Sequence, residues 1–133
     1  MTPDIHVACL CAAWCRLCDE YAAVLDQVVA SFQADGLSLQ VHWIDIEDEE
    51  ALVGDVEVET FPTLVLIAGS AGHPVVRFAG PVTPQAGTLS RLLRAAVADA
   101  ATGSPAAAVA TEIQAFADRL ARRVDSGRGR SSS

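Results

Sequence analysis

The sequence contains no lysine, so arginine supplies all of its positive charge. Nine arginines stand against 17 Asp and Glu residues, and the formal net charge is −8 at pH 7. Such a chain is repelled by the phosphate backbone, so we expect no nucleic-acid binding. Eight of the carboxylates lie between Asp45 and Glu59, where we interpret them as a solvated face rather than a docking patch.

Long apolar runs are also missing. No segment approaches the ~20 apolar residues of a membrane-spanning helix. The stretch Met1–Asp4 lacks the basic region that opens a signal peptide. We therefore expect a cytoplasmic protein that does not enter a membrane. With 133 residues and 51% hydrophobic side chains, the chain is long enough and apolar enough for one domain with a real core.

Cysteine is absent everywhere except in one short segment, which holds Cys9, Cys11, Cys15 and Cys18. In a reducing cytoplasm, clustered cysteines are typical of catalysis or metal binding rather than of structural bridges. The apolar run ending at Cys11 predicts a buried strand, and the sequence from Cys18 onward predicts a helix. The pair Cys15-x-x-Cys18 is therefore expected where a strand passes into a helix.

That position has chemical consequences. The first turn of a helix carries unpaired N–H groups and a partial positive charge, which favour a thiolate, the nucleophilic form of cysteine. Arg16 adds a further positive charge beside Cys15. Two intervening residues let a second sulfur reach the first, so a disulfide can form and open there. We expect Cys15 to be an exposed attacking thiol and Cys18 a buried resolving thiol.

The rest of the chain alternates between the two kinds of element. Hydrophobic periodicity and turn residues predict helices over 18–34, 48–53, 84–99 and 106–124, and strands over 5–11, 37–46, 64–68 and 73–79. The compact strand-helix-strand unit at the start predicts two parallel strands with a right-handed crossover. The Gly/Arg/Ser-rich end, residues 126–133, predicts a disordered tail.

A proline precedes one of the predicted central strands. Pro62 has no N–H for the sheet, which is unusual there. A cis Phe61–Pro62 bond forming a special turn explains it. The WCRLC motif at residues 14–18, together with FPT at residues 61–63 before an apolar strand, resembles the thioredoxin family over roughly residues 5–101.

The resemblance implies an α/β fold. We expect a four-stranded mixed sheet with strand order 2-1-3-4, flanked by helices, without the N-terminal strand and helix that thioredoxins usually carry first, and with an extra C-terminal helix. The expected organisation is a thioredoxin-like domain over residues 1–103, a helical extension over 104–125 and a disordered tail over 126–133.

The resemblance also implies a function, that of a protein-disulfide reductase acting in cell redox homeostasis. Dithiol/disulfide exchange would run through Cys15 and Cys18, with Arg16 favouring the thiolate. It implies no bound cofactor, electrons from a thioredoxin reductase or a small thiol, protein disulfides as substrates, and a monomer or weak homodimer. The residues expected to bind the substrate are Trp14, Phe61, Pro62 and Gly80.

The sequence departs from the family at several positions. Arg16-Leu17 stands where thioredoxins usually have Gly-Pro, which should change the reduction potential. Cys9 occupies the place of a buried carboxylate, Trp43 that of its lysine partner, and Cys11 that of a common tryptophan. Proton transfer to the resolving thiol must then use water, Cys9 or a backbone route.

Alternatives remain open at this point. The protein could be a thioredoxin-like interaction module with little redox turnover, or a metal carrier that uses the same thiols, with Cys-x-Cys-x₃-Cys-x₂-Cys holding zinc or an iron–sulfur cluster. Cys9 and Cys11 are either small core residues or regulatory and backup thiols. The apolar stripe from Val109 to Val124 either docks on its own domain or forms a dimer face.

Overall fold

The computed structural model describes residues 4–12, 15–58, 62–69, 74–83, 85–103 and 109–131, with side chains up to Val124. The elements in chain order are β1 (Asp4–Cys11), α1 (Arg16–Ala34), β2 (Ser38–Asp45), α2 (Glu50–Val53), β3 (Thr63–Ala68), β4 (Val75–Pro81), α3 (Ala86–Thr102) and α4 (Thr111–Ser131).

The four strands form one mixed sheet in the order β2-β1-β3-β4. β1 pairs with β2 in parallel and with β3 antiparallel, and β3 pairs antiparallel with β4. The parallel pair follows from the helix that connects its strands, because a parallel connection needs a long crossover. The predicted four-stranded mixed sheet, its strand order and the flanking helices are confirmed.

The central strand β1 is buried on both faces, which explains why its sequence, apart from Asp4 and His6, is apolar rather than alternating. Its odd-numbered residues, from Ile5 to Cys11, pack in one cluster with α1 and α3. Ala8 and Leu10 pack on the opposite face with α2 and α4. Because side chains alternate along a strand, all of the cysteines of β1 point toward α1.

Helix α1 is amphipathic and ends where the sequence indicates. Gly36 has φ +89°, the left-handed conformation that glycine adopts without strain. The N–H of Gly36 donates to Gln33 at 3.0 Å, and that of Leu37 donates to Phe32 at 3.2 Å, the two bonds of a Schellman motif. The side chains that α1 buries are Cys18, Tyr21, Leu25, Val28, Val29 and Phe32.

Helix α4 covers the second face of the sheet. Phe116 and Ala117 are fully buried there, and Leu120 is nearly so. The Arg119 guanidinium donates to the carbonyl of Leu52 at 2.8 Å and to that of Val53 at 3.0 Å, which satisfies free carbonyls at the end of α2. The predicted docking of the C-terminal stripe on its own domain is therefore confirmed.

Several element boundaries differ by a few residues from those predicted, and two of these differences have a clear cause. The backbone of α4 continues to Ser131, into the predicted disordered tail, since no proline follows residue 105 to interrupt its hydrogen bonds. β4 runs through Gly80 to Pro81 instead of ending at Ala79. Pro81 is tolerated because it is the last residue of an edge strand. Among the described helices, none is long and apolar enough to cross a membrane.

Candidate active site

Cys15 stands directly before α1, as its N-cap residue. Its backbone is extended (φ −87°, ψ 115°), its N–H donates to Ala12 at 3.0 Å, and its side chain makes no capping hydrogen bond. The sulfur is therefore a free thiol at the positive end of a helix. The predicted exposure of Cys15 was wrong: the residue is only 9% exposed, because it packs in the α1-side cluster.

Cys18 is bridged to Cys11, and not to Cys15 as the sequence predicted. The two Cα atoms lie 6.0 Å apart, within the range that a disulfide spans. The cause is local geometry. Helical side chains lean toward the N-terminus of their helix, so Cys18 leans back over the end of β1, where Cys11 faces α1. The assignment of Cys15 and Cys18 as catalytic residues stays a prediction.

Cys9 is a fourth sulfur, fully buried on the same face of β1. Its Sγ lies 3.5 Å from the Cys11 Sγ, and since a bridged sulfur carries no hydrogen, Cys9 is the donor of this contact. Burial raises the pKa of the Cys9 thiol from 9.0 to about 12, so Cys9 stays protonated at neutral pH. Cys9 pairs in register with Trp43 on β2. These two residues stand where thioredoxins have a buried carboxylate and its lysine partner.

Tyr21 lies one turn beyond Cys18 and is fully buried. Its hydroxyl has no hydrogen-bond partner among the described residues. Burial first, and then the negative charge of a Cys9 thiolate, raise the pKa of Tyr21. The interior beneath the cysteines therefore disfavours the anionic forms of both Cys9 and Tyr21.

A pocket of about 360 Å³ opens beside the disulfide. It lies between the start of α1 and the end of β2, and Trp43, 41% exposed, lines its wall. Leu17, between the two cysteines of the motif, is 46% exposed. The residues around the pocket are Cys11, Ala12, Cys18, Asp19, Ala22, Trp43, Ile44 and Asp45.

Two predicted substrate-binding residues lie at the same end of the sheet as the cysteines. Pro62 is buried, and its carbonyl accepts the N–H of Val82 at 3.1 Å. The antiparallel register pairs Leu10 with Thr63, so the preceding residue, Pro62, lies near Cys11 at the same end of the sheet. Gly80 pairs with Leu64 in β4. Their part in substrate binding stays a prediction.

The other predicted site residues are placed differently. Trp14 and Phe61, including the proposed cis bond at Phe61–Pro62, lie outside the described residues. Arg16 is exposed at the first position of α1, next to Cys15. In the part of the chain that the structure describes, which includes all four cysteines, no group of three or more His, Cys, Asp or Glu side chains is placed to hold a metal ion.

The sequence alone missed two features of the site. It did not identify Cys11 as a bonding partner of Cys18, although the alternation of Cys9 and Cys11 on a strand facing α1 is a signal for it. It also did not place Trp43 at the rim of a pocket. That position depends on the register between β1 and β2, which no local pattern contains.

A mixed four-stranded sheet flanked by helices, with cysteines at the junction of its central strand and first helix, defines a thioredoxin-like α/β protein. Residues 3–93 match the family described as Thioredoxin. This is more than half of the chain, and the chain belongs to the thioredoxin family. Family membership and a bridged cysteine pair fit a thiol–disulfide oxidoreductase.

Solved structures of other proteins share the fold. The germline-specific thioredoxin Deadhead of Drosophila melanogaster superposes with a TM-score of 0.56 at 18% identity, over 68% of this chain and 79% of that one. Chloroplastic thioredoxin z gives 0.54 at 22% identity, over 71% and 80%. A malarial protein gives 0.56 at 16% identity, over 68% and 94%. No curated protein matches this sequence.

Proposed function

We propose that this protein is a cytoplasmic protein-disulfide reductase that works by dithiol/disulfide exchange through Cys15 and Cys18. The observation that carries the proposal is the position of the free Cys15 thiol at the N-terminus of α1, one helical turn from a second cysteine that already bonds sulfur. A helix N-terminus favours the thiolate, and sulfur exchange needs sulfurs that approach one another with little backbone movement.

The reaction starts from the form in which Cys15 and Cys18 are both reduced. The Cys15 thiolate attacks one sulfur of a substrate disulfide, the substrate S–S bond breaks, and the other substrate sulfur leaves as a thiolate. Cys18, as a thiolate, then attacks the Cys15 Sγ. The bond between Cys15 and the substrate breaks, and the substrate leaves with two electrons and two protons more than it brought.

The substrate segment is proposed to lie along the edge formed by Pro62 and Gly80, with the exposed Leu17 as an apolar contact. Trp14 and Phe61 are assigned to the same groove from the family resemblance. An extended segment added along such an edge would gain backbone hydrogen bonds, a mode of binding that tolerates many sequences.

A second candidate function is supported by the burial of Cys15, which at 9% exposure is poorly placed for attack on a large substrate. In that case the chain is a thioredoxin-like interaction module whose cysteines have little turnover. The two candidates differ in what happens when Cys15 is removed, because a binding surface does not need its sulfur.

The test is the reduction of insulin by dithiothreitol, with the wild type beside Cys15→Ser and Cys18→Ser. We expect the wild type to accelerate precipitation and Cys15→Ser to return the rate to that of dithiothreitol alone, while circular dichroism shows an unchanged fold. A wild type no faster than dithiothreitol alone would instead favour the interaction module.

A further inference from the structure

At the end of β1, three sulfurs compete to form a single disulfide bond. Cys18 is bridged to Cys11, and Cys15 is the free thiol beside them at the start of the same helix. Only three residues separate Cys11 from Cys15, and the N–H of Cys15 donates to the carbonyl of Ala12, so the end of the strand and the start of the helix stay close. Cys18 is thus within reach of two partners, one in the sequence motif and one on the strand.

We propose that Cys11 is a third redox-active cysteine. Once the substrate has been reduced, Cys11 replaces Cys15 as the disulfide partner of Cys18. The inference rests on the proposed function, because it concerns the disulfide that substrate reduction leaves behind. Cys15 and Cys18 carry out the exchange with the substrate, and Cys11 and Cys18 store the resulting disulfide.

The transfer is an isomerisation that needs no outside oxidant or reductant. The Cys11 thiolate attacks the Cys18 Sγ, the Cys15–Cys18 bond breaks, and Cys15 leaves as a thiolate that takes up the proton lost by Cys11. One S–S bond forms and one breaks, so the oxidation level of the protein is unchanged. Its result is the arrangement of this structure, with Cys15 free and Cys18 bridged to Cys11.

Cys9 assists this transfer from the interior side of Cys11. Its thiol lies 3.5 Å from the Cys11 sulfur, on the side away from the surface. Because Cys9 stays protonated, it can donate its S–H to Cys11 when that sulfur is a thiolate, and keep the same contact in the disulfide. Cys9 is therefore a positioning residue for Cys11 rather than a fourth exchanging sulfur.

The pocket gives the stored disulfide its own route to a reductant. Both bridged cysteines line the space of about 360 Å³ beside Trp43, and this space is large enough for a small thiol. Two equivalents of such a thiol return the protein to the dithiol form: the first opens the Cys11–Cys18 bond as a mixed disulfide, and the second releases the oxidised small thiol. Asp19 and Asp45 also line the pocket, which favours an uncharged thiol over an anionic one.

Peptide mapping tests the proposal, because the sequence provides a suitable cleavage site. Trypsin cuts after Arg16 and next after Arg77, so Cys18 falls in a different peptide from Cys9, Cys11 and Cys15. Reduced protein is mixed with one equivalent of a peptide disulfide, quenched with acid, and alkylated under denaturing conditions. Fragmentation of the cross-linked peptides then identifies the partner of Cys18.

We expect Cys18 linked to Cys11 and the alkyl label on Cys15 in most molecules. In Cys11→Ser, labelling of Cys15 should fall to background, since its disulfide with Cys18 can no longer be transferred. Cys11→Ala serves as a second variant if the serine disturbs the core. Cys9→Ala removes the S–H beside Cys11 and should slow the transfer, so acid quenching at early times should catch more of the Cys15–Cys18 bond, although the final partner of Cys18 stays Cys11.

A wild type in which Cys18 is linked to Cys15 and the label sits on Cys11 would overturn the proposal. A parallel sample is oxidised by oxidised dithiothreitol instead of the peptide. If the peptide is not reduced but the sample treated with oxidised dithiothreitol shows the Cys11–Cys18 bond, the proposed reductase function is contradicted, whereas the pairing of Cys11 with Cys18 is supported. If the peptide is reduced and Cys11 keeps its label, the pairing fails and the function stands.

Discussion

The two faces of the sheet carry different kinds of chemical groups. The face toward α1 and α3 holds all four sulfurs and a buried tyrosine hydroxyl that no described residue binds, and it opens to solvent at a pocket. The face toward α2 and α4 contains no cysteine, and its polar contacts include the Arg119 guanidinium, which donates to two carbonyls of α2. The α1 face is therefore the one that carries the exchangeable sulfur bonds.

The difference indicates how a small domain can keep exchangeable bonds without losing its fold. A buried disulfide that opens must not remove the support of the sheet on which its cysteines lie. Here α4, packed through Phe116 on the opposite face, holds β1 and β3 independently of the sulfurs. The following predictions test whether the two faces are separable, beginning with the largest expected effect.

Phe116→Ala should lower the free energy of unfolding by about 3–5 kcal/mol, because it leaves a cavity where a fully buried ring filled the α4 face. Urea denaturation measures the loss. If the faces are separable, the folded variant should still bridge Cys18 to Cys11, as seen by peptide mapping. A changed pairing would show that α4 also controls the sulfur site.

Arg119→Ala should lower stability by about 1–3 kcal/mol, since it leaves the carbonyls of Leu52 and Val53 without their charged donor. Arg122→Ala, an exposed arginine on the same helix, is the matched control and should change stability by no more than about 0.5 kcal/mol. Equal losses in the two variants would mean that net charge matters rather than these hydrogen bonds.

His42 makes the α4 face sensitive to acid. Burial first, then the neighbouring His6 at 3.0 Å and Arg123, lower the pKa of His42 from 6.5 to about 4. Between these values the unfolded chain binds a proton that the folded protein does not. Stability is therefore fully present above pH 6.5 and falls as the pH drops toward 4.

His42→Gln should flatten that part of the stability profile. The measurement is the urea midpoint of both proteins at pH 7 and at pH 4.5. The wild type should lose more stability than the variant over this interval, and parallel profiles would contradict the assignment. The rate of Cys15 alkylation should follow the same course with pH in both folded proteins, because His42 lies on the face away from the sulfurs.

Tyr21→Phe should have the smallest effect on stability, neutral or stabilising by up to about 1 kcal/mol. The substitution keeps the ring and removes a buried hydroxyl that has no hydrogen-bond partner in the described part of the chain. A loss of more than about 1 kcal/mol in thermal or urea denaturation would mean that the hydroxyl is bound after all.

Much of the fold could be predicted, because its signals are local. The apolar run of β1, the helical spacing of α1 and Gly36 at its end each depend on a few neighbouring residues. The strand order is predicted from the resemblance to thioredoxins, which rests on the motifs at residues 14–18 and 61–63. Helix ends were less certain, because the sequence of residues 126–131 resembles a tail although its backbone continues α4.

The cysteine pairing could not be derived from spacing alone. Two residues separate Cys15 from Cys18 and six separate Cys11 from Cys18, and both spacings permit a bond. The choice depends on how the end of β1 lies under the first turn of α1. This is a tertiary property. The same holds for the pocket at Trp43, which exists only because β2 pairs with β1 in its observed register.

The most direct test of the account is to trap the first step of the reaction. In Cys18→Ser, the thiol that would release the substrate is missing, so Cys15 should remain bonded to it. Incubation with a peptide disulfide, followed by intact mass and peptide mapping, is expected to give a one-to-one adduct on Cys15, and none in Cys15→Ser/Cys18→Ser. An adduct on Cys11 or Cys9, or no adduct at all, would contradict the claim that Cys15 is the attacking nucleophile.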